Sequence, residues 1–265
     1  NHSNDKGICN NNPCRIKNKK LNNENEYTDY LDETELERVM NNAVQVDNRT
    51  GRLLASHYKK HRLMPVNCLL IALEFATSRR TGSEASNLKW DQIIGLNSSQ
   101  PRIKYKQTKT SDHDTPLVFS LAEKAHDLLK LISRDRLNNP DSKFYYPISD
   151  IRTKYIFPSR KYGKKTKAGI CKIPYVQDVR GTFSKLLKMS GIDRHLKNYA
   201  TRHTLATNLL SKTGNLKLVA ETLGVSLKTA SRYAKVQGKD VVEGINKVFE
   251  KKERTKLKEV KSELN

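Results

Sequence analysis

A chain of 265 residues is long enough to bury one sizeable core with arms, or two small ones, and one main domain is the expectation. The hydrophobic share of 36% is low and the charged share of 29% is high, but leucine-rich stretches recur along the chain and exclude global disorder. A formal net charge of +22 points to a polyanionic partner, nucleic acid before a membrane surface.

No apolar run approaches the roughly 20 residues that span a bilayer, and the opening Asn1-His2-Ser3-Asn4-Asp5 has no hydrophobic segment of a signal peptide. A soluble intracellular protein is expected. Four irregularly spaced cysteines, Cys9, Cys14, Cys68 and Cys171, argue against a disulfide scaffold. Cys9 and Cys14 lack a second ligand pair nearby, so no metal is expected.

Residues 1–28 are rich in Asn and Lys, contain the Asn12-Pro13 step and show no sustained apolar period; they read as an arm or linker. Order begins at Leu31. Asp32 with Glu35 makes a capping box, Leu31 and Leu36 are spaced as a hydrophobic staple, and Leu36, Val39, Met40 and Ala43 continue at helical spacing. The apolar Cys68-Leu69-Leu70-Ile71-Ala72-Leu73 predicts a buried helix running into Arg79-Arg80, with another helix starting at Ser83.

Two extended segments, Arg102 to Lys106 and Thr115 to Phe119, predict a hairpin around a polar loop. Ser120 and Glu123 cap a helix bearing Leu128, Leu129, Leu131 and Ile132; Val176, Val179, Phe183, Leu186 and Leu187 mark the next, ended by Gly191. Residues 158–172, with six cations, two glycines and no period, read as a mobile basic loop suited to phosphate contact. From Thr201 the pattern is helical, interrupted at Gly214 and Gly224, and Val241, Val242, Ile245, Val248 and Phe249 form an amphipathic stretch before a charged tail.

Metal-free cleavage of a phosphodiester needs a nucleophile, fixed positive charge for the pentavalent transition state and an acid for the leaving oxygen. Arginine suits the fixed charge, since its planar guanidinium stays protonated and grips two phosphate oxygens at once. Arg80, within Thr77-Ser78-Arg79-Arg80-Thr81-Gly82-Ser83-Glu84, followed by Leu88-Lys89-Trp90, resembles the first arginine box of the tyrosine recombinases, the phage integrase kind. Ser78 stands where that family usually has glycine, and Arg79 is the alternative if the register shifts by one. Tyr199-Ala200-Thr201-Arg202-His203-Thr204 resembles the second box, with Tyr199 where histidine is usual. Leu223-Gly224-Val225 to Ser231-Arg232-Tyr233 is similar to the segment ending in the family's nucleophile, but Val225 replaces the expected histidine and the segment is one residue shorter.

The resemblance implies a mainly helical catalytic domain with a small antiparallel β-sheet over 29–238, preceded by a 1–28 arm from an absent core-binding region and followed by a 239–265 helix and charged tail. It implies Tyr233 as nucleophile, Arg80 and Arg202 as phosphate grips, Tyr199 as a hydrogen-bond donor and Lys109 as acid, with Lys106 second. It further implies a site-specific recombinase or integrase working through a 3′-phosphotyrosine without metal, cofactor or ATP. The partners so implied are double-stranded DNA and a homotetramer; the setting is cytoplasmic and prokaryotic or phage-borne. The alternatives are a type IB topoisomerase and a relative that binds DNA but has lost catalysis.

Overall fold

The computed structural model describes residues 29–82, 84–105, 117–138, 142–167 and 169–234. The arm of 1–28, the tail of 239–265 and the Lys106 and Lys109 assignments lie outside these residues.

The capping box expected at Asp32 forms. Helix α1 (Glu33–Ala43) opens with Asp32 Oδ1 accepting from the Glu35 N–H at 2.8 Å and Glu35 Oε2 accepting from the Asp32 N–H at 3.1 Å. Such a cap contributes about 1 kcal/mol. Arg194 grips the Glu35 carboxylate and holds it below its usual range, and the Leu31 N–H donates to Thr204 Oγ1 at 2.9 Å. The start of α1 is thereby fastened to the later helix that carries the second arginine box.

Helix α2 (Ala55–Lys60) is short and buries only Tyr58, which is why no period announces it. Helix α3 (Pro65–Thr77) has Pro65 in its first turn, where the missing N–H costs nothing, and is buried from Cys68 through Phe75. At about 1.5–3 kcal/mol for each large apolar side chain removed from water, this helix is the centre of the core.

The hairpin forms as β2 (Arg102–Tyr105) and β3 (Leu117–Ser120), antiparallel with Ile103 opposite Phe119. A third strand, β1 (Ile93–Ile94), pairs Ile93 with Ile103; two residues are too few to show alternation in sequence. Ile103 and Tyr105 face inward while Arg102 and Lys104 face water. Helix α4 (Glu123–Asn138) covers the core with Ala125, Leu128, Leu129, Leu131 and Ile132.

Three local expectations are corrected. The expected helix start at Ser83 lies outside the described residues, but residues 84–87 after it form turns and a bend where that helix should continue, with the Glu84 and Ala85 N–H groups both donating to the Arg80 carbonyl at 3.1 and 2.9 Å. The basic segment 158–172 is not irregular throughout, since β4 (Lys165–Thr166) and β5 (Gly169–Ile170) pair within it. Helix α5 (Arg180–Met189) begins after Val176, whose N–H is committed to the Phe157 carbonyl at 3.0 Å, while Asp178 Oδ1 takes the Arg180 N–H at 2.9 Å and turns the chain into the helix.

Helices α6 (Ala200–Thr213) and α7 (Leu216–Leu223) end where expected, on Gly214 and Gly224, both at φ 62°, the left-handed cap that glycine enters without penalty. Helix α8 (Leu227–Ala230) and a 3₁₀ turn, Ser231–Tyr233, follow. Ala206, Val219, Ala220, Leu223 and Ala230 form a small second apolar cluster beside the main core. Helix α6 spans both, with Ala200 in the main core and Ala206 in the second, and Arg202 lies between them.

Candidate active site

The first arginine segment is shaped by the end of α3. Ser78 caps that helix in the left-handed conformation, φ 56° and ψ 17°, which costs a non-glycine residue about 1–2 kcal/mol. This is the physical reason a glycine suits the position. The bend turns Arg79 and Arg80 in different directions. Arg80 keeps 22% of its side chain exposed and meets Glu84, whose Oε1 lies 3.3 Å from Nη1 and whose Oε2 accepts the Arg80 N–H at 3.2 Å.

Arg79 is buried. Its guanidinium carbon lies 4.0 Å from the Tyr105 ring centroid and 4.9 Å from that of Phe119, and Nη2 donates to the Thr222 carbonyl at 2.8 Å. Burial, against the favourable charge of Glu84 and with Arg202 and Arg80 adding repulsion, pulls it down to about 10. Its Nη1 has no hydrogen-bond acceptor among the described residues.

Arg202 stands in the first turn of α6 and is buried. Nη1 donates to the Ser78 carbonyl at 3.1 Å and Nη2 to the Leu223 carbonyl at 2.5 Å, so one side chain holds the C-terminal ends of α3 and α7. Both carbonyls are at the negative ends of helix dipoles, which favours a cation there. Burial lowers the Arg202 pKa and Arg80 lowers it further, while Tyr199, Glu84 and Tyr233 act the other way.

Arg79, Arg80 and Arg202 share an open cavity of about 560 Å³ with Tyr199, Thr81 and Asn198; Gln177 and Arg180 complete one side. Around the three arginines the carboxylate in contact is Glu84, so positive charge exceeds negative at this place. Arg180 is matched separately by Asp178 at 2.8 Å.

Tyr199 is 46% exposed at the cavity mouth, and its ring stands edge-on to His203, with centroids 4.8 Å apart. His203 in turn lies 5.5 Å from the Tyr233 ring. Tyr233 does not line the cavity but reaches it through this aromatic series, half-buried against the second apolar cluster. His203 is held below its usual pKa, first by burial and then by Arg202, with Asp29 opposing. His203 lies within the Arg-His-Thr motif, while nothing local in the sequence marks Asn198, Gln177 or Arg180. Val225 packs into the same cluster, its N–H bonded to the Ala220 carbonyl at 3.0 Å.

The model of the phage integrase family matches residues 29–239. The chain belongs to that family. Tyrosine recombinase XerC of Corynebacterium glutamicum is 38% identical over 72 residues, 27% of this integrase-family chain and 23% of that protein. Among solved structures, the XerH site-specific recombinase bound to its difH substrate superposes with a TM-score of 0.52 at 21% identity, covering 82% of this chain and 53% of that one. XerA recombinase gives 0.53 at 20% identity over 82% of this chain and 64% of that one. The Tn1549 transposon integrase with a circular intermediate DNA gives 0.53 at 14%, over 93% of this chain and 74% of that one. These likenesses establish the tyrosine recombinase catalytic-domain fold, mainly helical with small antiparallel sheets. The chain spans about half the length of the XerH structure.

Proposed function

We propose that this chain is the catalytic portion, over 29–238, of a site-specific DNA recombinase. In this reading Tyr233 attacks the scissile phosphate and forms a 3′-phosphotyrosine. Arg80 and Arg202 balance the charge that builds on the non-bridging oxygens. Tyr199, exposed at the cavity mouth, donates a hydrogen bond to the phosphate. Lys109 protonates the departing 5′ oxygen. Because the phosphotyrosine ester conserves the bond energy, rejoining needs neither ATP nor a metal.

The observation that carries this reading is the surplus of guanidinium groups around an open cavity. Arginines forced together with too few carboxylates destabilise the empty protein, and an anion of matching geometry relieves them. A DNA phosphate has that geometry, and the net charge of +22 suits a polyanion. The solved XerH and Tn1549 complexes contain DNA, which supports the same partner here; a homotetramer around two DNA sites is part of the proposal.

The deciding experiment incubates the protein with a nicked suicide DNA substrate. A covalent adduct is expected, and Tyr233→Phe removes it while leaving DNA binding nearly intact; an adduct surviving in that variant refutes the nucleophile. A second reading, a DNA-binding relative without catalysis, is favoured by Val225, which has no donor where the resemblance expects histidine. Persistent absence of the adduct from the parent protein would select it.

A further inference from the structure

Helix α3 carries one side chain that its surroundings do not explain. Glu74 is wholly buried in the last turn of an apolar helix, and no Lys, Arg or His among the described residues pairs with it. Burial pushes its carboxyl up to about 7 against the opposing effect of two hydrogen bonds. A buried acid without a cation weakens a fold, and an apolar residue of similar volume would serve the core better.

Its two partners reveal what it does instead. Thr81 Oγ1 donates to Glu74 Oε1 at 2.6 Å, and Asn198 Nδ2 donates to Oε2 at 2.9 Å while also donating to Thr81 Oγ1. Thr81 directly follows Arg80, Asn198 directly precedes Tyr199, and both line the arginine cavity. The carboxylate is therefore a two-pronged acceptor joining the two arginine segments from beneath. It also fixes the Asn198 amide, because a flipped amide would set its oxygen against the carboxylate.

We propose that Glu74, through Thr81 and Asn198, is a positioning residue that sets the distance between Arg80 and the Tyr199–Arg202 turn. The inference rests on the recombinase reading for the reaction it serves. A phosphate gripped from both segments depends on their separation, and a misplacement of about 1 Å can cost on the order of a hundredfold in rate.

The test uses the full chain and single-turnover cleavage of a suicide DNA substrate at saturating protein. Glu74→Leu removes both acceptors. It should fold at least as stably as the parent at about pH 8, hold DNA with little change in Kd, and cleave roughly tenfold to a hundredfold more slowly. Thr81→Val should slow cleavage to a similar degree, Thr81→Ser should recover most of the rate, and the double variant should be no slower than the slower single one. If Glu74→Leu does not fold, the Thr81 pair decides, since that residue is only half-buried. Parent-like cleavage by Glu74→Leu, or equal rates for Thr81→Val and Thr81→Ser, overturns the proposal while leaving the recombinase reading standing. A parent that forms no adduct removes both.

Discussion

The buried acid of α3 also makes a prediction about stability that needs no DNA. Burial raises Glu74 from its ordinary 4.5 to about 7. A carboxyl whose folded pKa lies above its unfolded value takes up a proton on folding in the interval between the two. Its favourable contribution is complete below about pH 4.5 and disappears as pH rises through about 7. With 1.36 kcal/mol per unit, the full swing is about 3.4 kcal/mol, of which roughly 2.5 falls between pH 5 and pH 8. Glu74→Gln keeps the size and one acceptor but does not titrate. Urea unfolding of parent and variant across that window should show the parent losing about 2.5 kcal/mol relative to Glu74→Gln as pH rises. Using the difference cancels the histidines, which both proteins share. The exposed carboxylates held low, Asp47 and Asp178, lose their contribution only at lower pH. A difference that stays flat from pH 5 to pH 8 refutes the argument, and one of opposite sign means that a cation reaches Glu74.

Arg80→Ala and Arg202→Ala should each slow cleavage about a hundredfold or more, since one lost transition-state donor costs about 3–4 kcal/mol; unchanged single-turnover rates would remove that arginine from the site. Arg202→Ala should in addition lower the unfolding midpoint, because the Ser78 and Leu223 carbonyls lose their donor, at about 1–3 kcal/mol. Cleavage should proceed fully in EDTA and DNA binding should weaken steeply with salt; restoration by magnesium after chelation would replace this chemistry with a metal-dependent one. Val225→His should speed single-turnover cleavage by supplying a donor worth about 2–4 kcal/mol, while an apolar contact of the second cluster is lost at about 1 kcal/mol. No acceleration would mean that another group already fills the gap.

Much of this protein is legible in its sequence because the signals are local. The Asp32–Glu35 box, the apolar run from Cys68 to Leu73 and the glycines at Gly214 and Gly224 act within a few residues of themselves, and each produced the expected helix end or core helix. The Arg-His-Thr motif, and the family it belongs to, were likewise visible from adjacent residues. Starts that depend on distant partners were not: α5 begins at Arg180 because Val176 is paired with Phe157, and residues 84–87 form turns and a bend because Glu84 turns back to Arg80. Sequence could offer either Arg79 or Arg80. Only the left-handed bend at Ser78 turns one toward Tyr105 and Thr222 and the other toward Glu84. Burial of Glu74 was equally hidden, since its reason is a threonine seven residues on and an asparagine on another helix's approach. Covalent order dictates what a short segment prefers, but charges and hydrogen-bond donors act through space, so the geometry of the candidate site was decided where α3, α6 and α7 converge on Arg202.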